Sequence, residues 1–348
     1  MRRSLPITGL PIPGLSASGF MTLGFIAVGL LALPGCLGPR PDPQPPARPV
    51  TRPAGTQIVI AGERIDIGTP VVLWTQYPGY DATRPVTVPA QDGKPASTSF
   101  AYQPGRLRNG EVLVEPESTN REQLAEVVDQ FVLHYDVCGI SRTCFRVLND
   151  RKLSVHFLLD IDGTLYQTMD LRDQAFHATK SNPRSIGVEI AQMGAYAPGK
   201  PSALDVWYAK DADGEYIRLP ERVGDGGVRT VGFVGRPARK GRISGAIHGE
   251  ALEQYDFTNE QYEALARLSA GLSMQFPKLK LDCPRDESGA VLDRVLSDEE
   301  FSAFGGILGH FHVQRNKTDP GPAFDWERVL QHAREVAESG ESDNPGRP

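Results

Sequence analysis

Apolar residues recur along the chain with two periods, one typical of strands and the other typical of helices. Short apolar or alternating stretches predict strands over residues 131–136, 153–160, 162–167, 186–190 and 305–308. Helical spacing and capping signals predict helices that begin near residues 119, 258, 297 and 325. The first three starts fit the capping-box pattern, with Thr119 and Glu122, Thr258 and Gln261, and Ser297 and Glu300. The main domain is therefore predicted to begin near residue 119 and to contain both strands and helices.

Two of the predicted strands carry a polar side chain on the face opposite their apolar residues. Ile186, Val188 and Ile190 alternate onto one face, which leaves Glu189 on the other. A carboxylate in this setting is costly to bury alone, so Glu189 is expected to have a partner or a function. By the same alternation, His134 faces away from the apolar residues of its strand, although a lone histidine there is more often structural than a ligand.

The main domain is predicted to span residues 119–338, with attached segments on both sides. Residues 57–118 are rich in β-forming residues with turn signals, which predicts a small β-rich extension packed on the main domain. Proline dominates residues 36–56, and such a composition favours an extended tether because it cannot bury a core. Residues 339–348 are predicted to be a disordered tail.

Residues 1–35 have the pattern of an export signal. Arg2 and Arg3 supply positive charge, and residues 20–33 form an apolar run shorter than the roughly 20 residues that a membrane-spanning helix needs. The run ends in Leu-Pro-Gly before Cys36, which resembles a bacterial lipobox with Cys36 as the acylated residue. We therefore expect a lipoprotein of the cell envelope, anchored in a membrane (the outer membrane) and facing the periplasm. An ordinary secretory signal with an incidental cysteine is the alternative.

Length and charge limit the remaining possibilities. The chain has 348 residues, which is room for one sizeable domain with attachments. Its formal net charge of −6 implies no general affinity for nucleic acid. We expect a monomer without a nucleic-acid partner.

Residues 309–326 hold a dense set of candidate ligands, among them His310, Lys317 and Asp319. Asp319 opens the sequence Asp-Pro-Gly-Pro, which cannot be helical, so Asp319 is predicted to lie on fixed, non-helical backbone. A His and an Asp held in this way, with a distant third ligand, suit a zinc ion that keeps one position open for water. His312 is an alternative to His310, because residues two apart share a face on a strand.

These residues resemble the C-terminal zinc motif of the type-2 N-acetylmuramoyl-L-alanine amidases, whose superfamily includes phage T7 lysozyme and the animal peptidoglycan recognition proteins. The resemblance extends to Ser154–Phe157 with the turn at Asp162-Gly163, and to Phe176–Ala178 followed by Ser185–Glu189. It covers roughly residues 120–332. The fold that it implies is α/β: a central mixed β-sheet flanked by helices, with zinc in a cleft.

The resemblance also implies a role for each matching residue. His134, His310 and Asp319 would bind Zn²⁺. Glu189 would take a proton from the attacking water and pass it to the leaving nitrogen. Lys317 would stabilise the oxyanion, and His177 would share that role or help to bind the substrate.

Further residues near these motifs are candidates for substrate binding and for a disulfide. Asn182, Ser185 and His156 are the candidate substrate-binding residues, with a structural role in the floor of the site as the alternative for His156. Cys138 and Cys144 flank a short loop after His134 and are expected to form a disulfide in an exported protein. Several peptidoglycan recognition proteins carry a similarly spaced pair. Metal binding by these two thiols is the weaker alternative.

The segment 191–257 is rich in glycine and charge and is unusually long for a connection inside a domain. We interpret it as an insertion near the rim of the cleft that contacts the glycan or the peptide of the substrate. His248 lies within it without a recognisable motif and is expected to be non-catalytic.

The substrate that the resemblance implies is peptidoglycan or a muropeptide, cleaved at the amide between N-acetylmuramic acid and L-alanine. Two alternatives stay open. One is a peptidoglycan-binding protein without activity, and the other is a zinc amidase that acts on another acylated peptide. Zinc content distinguishes the binding protein from an enzyme, and product analysis distinguishes the two enzymes.

Overall fold

A computed structural model of the protein describes residues 54–76, 79–88 and 97–340. The predicted export signal, the acylated Cys36 and nearly all of the tether lie outside these residues, as does the predicted tail beyond residue 340. Within the described residues, no helix combines the length and the apolar character that crossing a membrane requires.

Strands and helices alternate through the part of the chain that the structure describes. In chain order the strands are β1 (Gly55–Ile60), β2 (Glu63–Leu73), β3 (Val86–Val88), β4 (Ser97–Ser99), β5 (Tyr102–Gln103), β6 (Arg106–Arg108), β7 (Glu111–Val114), β8 (Gln130–Tyr135), β9 (Phe157–Leu159), β10 (Leu165–Gln167), β11 (Gln174–Ala175), β12 (Ser185–Ile190), β13 (Tyr208–Asp211), β14 (Gly214–Ile217), β15 (Arg242–Ile247), β16 (Glu250–Tyr255) and β17 (Gly306–Gly309). The α-helices are α1 (Arg121–Ala125), α2 (Ser141–Asp150), α3 (Leu204–Trp207), α4 (Asn259–Gln275), α5 (Asp298–Ala303), α6 (His310–Val313) and α7 (Trp326–Ser339). Short 3₁₀ helices cover Thr179–Arg184 and Glu221–Val223.

Seven strands form one central mixed sheet in the order β1-β2-β10-β9-β12-β8-β17. Strand β12 pairs in parallel with both β8 and β9, and β17 pairs in parallel with β8. Strands β9 and β10 form the antiparallel hairpin that was expected around Asp162-Gly163. The predicted fold class, a mixed sheet flanked by helices, is therefore confirmed.

The two faces of the sheet differ in what they contact. On one face Ile186, Val188 and Ile190 are buried in a large core together with apolar residues of α4 and α7. On the other face a smaller apolar cluster joins the sheet to α2, with Leu148 and Leu158 among its members. The alternation predicted for β12 is confirmed, and it leaves Glu189 on the α2 face.

Helix starts follow the predicted capping signals in two cases and differ in the third. Helices α4 and α5 begin at the predicted boxes. Helix α1 is capped by Asn120 and Gln123, one residue later than the predicted pair of Thr119 and Glu122. Asn at the cap and Gln at the third helical position make the same two hydrogen bonds as Thr and Glu, so the sequence contains two overlapping capping signals.

The N-terminal extension is joined to the main domain through the sheet itself. Its first two strands, β1 and β2, continue the central sheet because β2 pairs in parallel with β10. In addition, Arg106 of β6 is fully buried. Its guanidinium donates to the carbonyls of Ser185 (2.9 Å) and Leu171 (2.7 Å). The predicted boundary at residue 118 stays a prediction, but the central sheet crosses it.

The long insertion folds into two antiparallel hairpins, β13–β14 and β15–β16, preceded by the short helix α3. The second hairpin contacts the loop that follows α6. Gly245 lies against Pro322, and Gln254 Nε2 donates to the carbonyl of Pro320 (3.0 Å).

Candidate active site

His134 and Glu189 are neighbours because two parallel strands bring them into register. Glu189 of β12 stands opposite His134 of β8. Both side chains lie on the α2 face, since the residues before and after each of them alternate onto the opposite face. Strand β17 pairs along the other edge of β8 and ends at Gly309, which brings His310 beside His134.

Three side chains converge at this point. The Nδ1 atoms of His134 and His310 lie 2.9 Å apart, and Asp319 Oδ2 lies 2.9 Å from each of them. All three residues are buried. His310 begins the short helix α6, and the chain then returns through a loop without helix or strand to Asp319, as the two prolines predict.

The three donor atoms fit a metal ion. Burial lowers the pKa of His134 to about 4, which keeps its imidazole neutral at pH 7. Burial opposes ionisation of Asp319, but the adjacent His310 and His134 lower the pKa of this carboxyl below its usual value. Neutral imidazole and ionised carboxylate are the forms that bind metals. Three lone-pair donors at this separation repel one another unless a proton or a cation lies between them, so His134, His310 and Asp319 can hold a metal ion.

In both histidines the Nε2 atom, which is not among the three converging atoms, contacts a neighbouring side chain. His134 Nε2 lies 3.0 Å from His177 Nδ1, and His310 Nε2 donates to Gln314 Oε1 at 2.6 Å. Contacts of this kind fix the tautomer and the ring orientation of a metal-binding histidine. Gln314 is not among the residues predicted from the sequence, because its contact with His310 requires a helical turn that so short a segment does not signal.

His177 is itself fixed by its surroundings. Its Nε2 lies 3.2 Å from Ser185 Oγ, and its backbone N–H donates to Asn182 Oδ1 (3.2 Å). Gly187 makes room for the ring, because a Cβ at this position would lie 2.5 Å from His177 Nδ1. Burial lowers the pKa of His177 well below its usual value, and the neighbouring His134 adds to the effect. This arrangement suits a neutral imidazole that orients His134.

A cleft of about 430 Å³ opens beside the three candidate ligands and lies against the sheet, α2 and residues 316–319. Glu189, Lys317 and His177 lie in its wall. Glu189 Oε2 is buried and has no hydrogen-bond partner among the described residues. Burial, and then the charge of Asp319, raise the pKa of Glu189 well above its usual value. The cleft therefore places a carboxyl and an ammonium group beside the candidate metal site.

The profile of the N-acetylmuramoyl-L-alanine amidase family matches residues 124–322, which is more than half of the chain. The chain belongs to this family. The match contains all three candidate ligands together with Glu189 and Lys317. No curated protein matches the chain.

Solved structures of related proteins resemble this amidase-family chain at low sequence identity. The N-acetylmuramyl-L-alanine amidase AmiD from E. coli is 16% identical, the match covers 59% of this chain and 57% of AmiD, and the TM-score is 0.32. The hydrolase AmiA from Staphylococcus aureus is 12% identical, with 64% of this chain and 80% of AmiA covered and a TM-score of 0.34. An AmpD derivative is 16% identical, with 60% of this chain and 86% of AmpD covered and a TM-score of 0.30. The family membership therefore rests on the profile match.

Within the amidase domain, His312 is not in a position to replace His310. Residues 310–313 form a helical turn rather than a strand, so the two side chains point in different directions. His312 Nδ1 accepts from the N–H of Gly309 (2.9 Å), and its Nε2 donates to the carbonyl of Leu292 (2.7 Å). Burial lowers the pKa of His312 to about 3. His312 therefore has a structural role at the start of α6.

The three predicted substrate-binding residues are not among those that line the cleft. His156 is fully buried, its Nδ1 accepts from the N–H of Gly187 (3.1 Å), and its Nε2 donates to the carbonyl of Asp173 (3.0 Å). Asn182 and Ser185 support His177, as described above. The contacts of His156 fit its alternative structural role, and substrate binding by these three residues stays a prediction.

The insertion 191–257 contacts the start of α2, where Arg142 donates to the carbonyl of Val223 (2.8 Å). None of its residues is among those that line the cleft, and its predicted contact with the substrate stays a prediction. It also contacts the loop that contains Lys317 and Asp319: His248 Nε2 donates to the carbonyl of Lys317 (3.0 Å), and Gln254 contacts the residue after Asp319. No motif surrounds His248 or Gln254, so the sequence does not reveal these contacts.

Cys138 and Cys144 are free thiols in the structure, so the predicted disulfide is not formed there. Their sulfur atoms and a carboxylate oxygen of Asp136 lie within 4.8 Å of one another. Asp136 Oδ1 accepts from the backbone N–H groups of Cys138 (2.8 Å) and Gly139 (2.9 Å), which fixes the turn after β8. Because the thiols are adjacent, the disulfide stays a prediction for the oxidised protein.

Proposed function

We propose that this protein is a zinc-dependent amidase that hydrolyses the bond between N-acetylmuramic acid and L-alanine in peptidoglycan or muropeptides. The observation that carries the proposal is a single cleft that contains the three candidate metal ligands together with Glu189 and Lys317. Membership of the N-acetylmuramoyl-L-alanine amidase family supports the class of substrate.

His134, His310 and Asp319 would hold the zinc ion through the three atoms that converge in the structure. Two imidazoles and one carboxylate form a three-residue ligand set, which is typical of catalytic zinc with a position open for water. When bound, zinc supplies Lewis acidity that polarises a carbonyl and lowers the pKa of water to about 7. The contacts from His177 and Gln314 hold the two rings in the orientation that this ligand set needs.

Glu189 is the proposed proton carrier. Its Oε2 has no partner among the described residues, and Glu189 is one of the residues that line the cleft. A cation held by the neighbouring ligands, together with Lys317, favours the ionised form against the effect of burial. The carboxylate can then accept a proton from the attacking water. Because burial makes the protonated form stable, the same group can pass the proton to the amide nitrogen as the C–N bond breaks.

Lys317 is the proposed electrostatic stabiliser of the carbonyl oxygen. It lies in the cleft wall on the loop that ends at Asp319, so its ammonium group is near the candidate metal site. A fixed cation in such a place stabilises the negative charge that develops on the oxygen during attack.

We also propose that the protein is exported and attached to a membrane through an acylated Cys36, with the amidase domain in the periplasm. The apolar run that ends at Cys36 supports this location. We expect the mature protein to fractionate with membranes and Cys36→Ala to give an uncleaved or mislocalised precursor. Unchanged fractionation and an unchanged mature mass in the variant would contradict the anchor.

Digestion of purified sacculi and of muropeptides tests the proposed activity. The expected products, identified by mass spectrometry, are muramic acid with a free lactyl carboxyl group and peptides that begin with L-alanine. Removal of the metal with a chelator should stop the reaction, and added zinc should restore it. Zinc and peptidoglycan binding without product would indicate a binding protein, and cleavage of other acylated peptides alone would indicate a different amidase.

A further inference from the structure

Residues 317–323 carry both a candidate metal ligand and the proposed catalytic cation, yet this loop contains no helix or strand. Pro320 and Pro322 have no N–H group, which limits the hydrogen bonds that the loop can make to itself. One backbone contact, from the N–H of Phe311 to the carbonyl of Asp319 (3.2 Å), ties its first half to α6. The second half needs partners from elsewhere in the chain.

Arg239 and Tyr262 contact the carbonyl of Ala323, and Gln254 of β16 supplies the partners on both sides of Gly321. Its side chain is fully buried. Its Nε2 donates to the carbonyl of Pro320 (3.0 Å), and its Oε1 accepts from the N–H of Ala323 (3.1 Å). The fit is tight, because a Cβ at Gly321 would lie 2.2 Å from Gln254 Oε1. A single side chain therefore binds the loop on both sides of Gly321.

The rest of the hairpin β15–β16 supports the same loop. A Cβ at Gly245 would lie 2.7 Å from Pro322 Cβ, so the strand packs directly on this proline. At the tip, His248 Nε2 donates to the carbonyl of Lys317 (3.0 Å), and its backbone N–H donates to the carbonyl of Asp293 (2.7 Å). No residue of the hairpin is among those that line the cleft, so these contacts support the loop without entering the site.

We propose that Gln254, through its two bonds to the loop, is the positioning residue for Asp319 in the metal site. The carbonyl that Gln254 holds belongs to the residue directly after Asp319. Loss of this bond would let Asp319 Oδ2 leave its place 2.9 Å from each histidine Nδ1. Removal of such supporting groups commonly weakens metal binding by about 10–100-fold. The inference rests on the zinc dependence proposed above.

Gln254→Met tests the proposal, because it keeps the length of the side chain and removes both hydrogen bonds. Glu253→Gln is the matched control: Glu253 neighbours Gln254 on β16 and pairs with Arg242 on the other face of the strand. The zinc dissociation constant of each purified full-length protein is measured by competition with a chelator, without substrate. We expect about 10–100-fold weaker binding for Gln254→Met and wild-type binding for the control.

A second variant distinguishes weakened zinc binding from a general folding defect. Gln254→Leu is a second uncharged variant that loses both hydrogen bonds and places a differently shaped apolar side chain at the same buried position. It should also weaken zinc binding, while the thermal unfolding of the zinc-free protein shows that the fold is retained. Wild-type zinc affinity in a folded Gln254 variant would overturn the proposal. Because this measurement uses no substrate, failure of the proposed amidase activity would be seen separately.

Discussion

The cleft has two walls that are built in different ways. On the sheet wall, His134 and Glu189 stand opposite each other on paired parallel strands, and β12 has a second parallel neighbour in β9. Backbone hydrogen bonds therefore fix the separation of these two side chains. On the loop wall, Lys317 and Asp319 belong to a segment without helix or strand.

The loop wall depends on individual side chains from distant parts of the chain. Gln254 holds the second half of the loop, and the Tyr135 hydroxyl contacts the hydroxyl of Thr318 in the first half. Groups on strands are generally placed more accurately than groups on loops, unless supporting side chains lock the loop. A substitution of Glu189 on the sheet wall should thus affect catalysis alone, whereas a substitution that frees the loop should disturb metal binding as well.

Asp319→Ala should have the largest effect, because it removes a ligand from the loop wall. Two histidines are a poor ligand set for zinc, so zinc and activity should be lost together. Metal analysis and turnover on the same purified preparation measure both losses. Retention of stoichiometric zinc in this variant would mean that the ligand set is a different one.

Glu189→Ala removes the proton carrier from the sheet wall and should separate catalysis from metal binding. Since Glu189 is not a ligand in our proposal, the variant should keep near-stoichiometric zinc and still bind peptidoglycan. Its rate should fall about 10²–10⁴-fold, the usual contribution of a positioned general base. Metal content, sacculus binding and turnover test this together. Full activity would contradict the assigned role, and loss of zinc would contradict the independence of the two walls.

Lys317→Ala removes charge from the loop wall without removing a ligand. We expect the rate to fall about 10²–10³-fold, which is typical for the loss of one oxyanion-stabilising group, while zinc is retained. Arg315→Ala is the matched control, because Arg315 is an exposed cation on the same loop and does not line the cleft. Equal losses in both variants would indicate a general effect of charge instead of a local one.

His177→Ala and Gln314→Ala compare the supports of the two histidine ligands. Each variant removes the side chain that contacts the Nε2 atom of one histidine ligand. This loss should weaken zinc binding by about 10–100-fold. Gln314→Glu keeps an acceptor for the N–H of His310 and should restore most of the affinity. Chelator competition measures all three variants. Wild-type affinity in His177→Ala would show that the strand alone orients His134.

Much of the sheet wall can be predicted from the sequence. Strand alternation alone places Glu189 opposite Ile186, Val188 and Ile190, because the period of a strand is a local property of the chain. The pairing of β12 with β8, which brings Glu189 to His134, is not local. The resemblance to a known family implies only that the two residues share a site.

Less of the loop wall can be predicted from the sequence. The prolines predict a non-helical Asp319, but the helical turn that separates His310 from His312 has no clear signal in so short a segment. The contact of Gln254 with Pro320 joins residues 66 positions apart. Buried side-chain contacts of this kind leave no periodic pattern, so the part played by the insertion becomes visible only in three dimensions.

The predicted disulfide should have the smallest effect, and it lies at the edge of the sheet wall. Oxidation of Cys138 and Cys144 would close a short loop and stabilise the fold by about 2–3 kcal/mol in the chain-entropy model. Urea unfolding with and without reductant measures this difference, and the double variant Cys138→Ser/Cys144→Ser should not respond to reductant. Three free thiols in the unfolded, non-reduced, lipidated protein would refute the bond, whereas one free thiol, that of Cys283, would support it. Zinc affinity should be the same in both redox states, because strand pairing already fixes His134 on this wall.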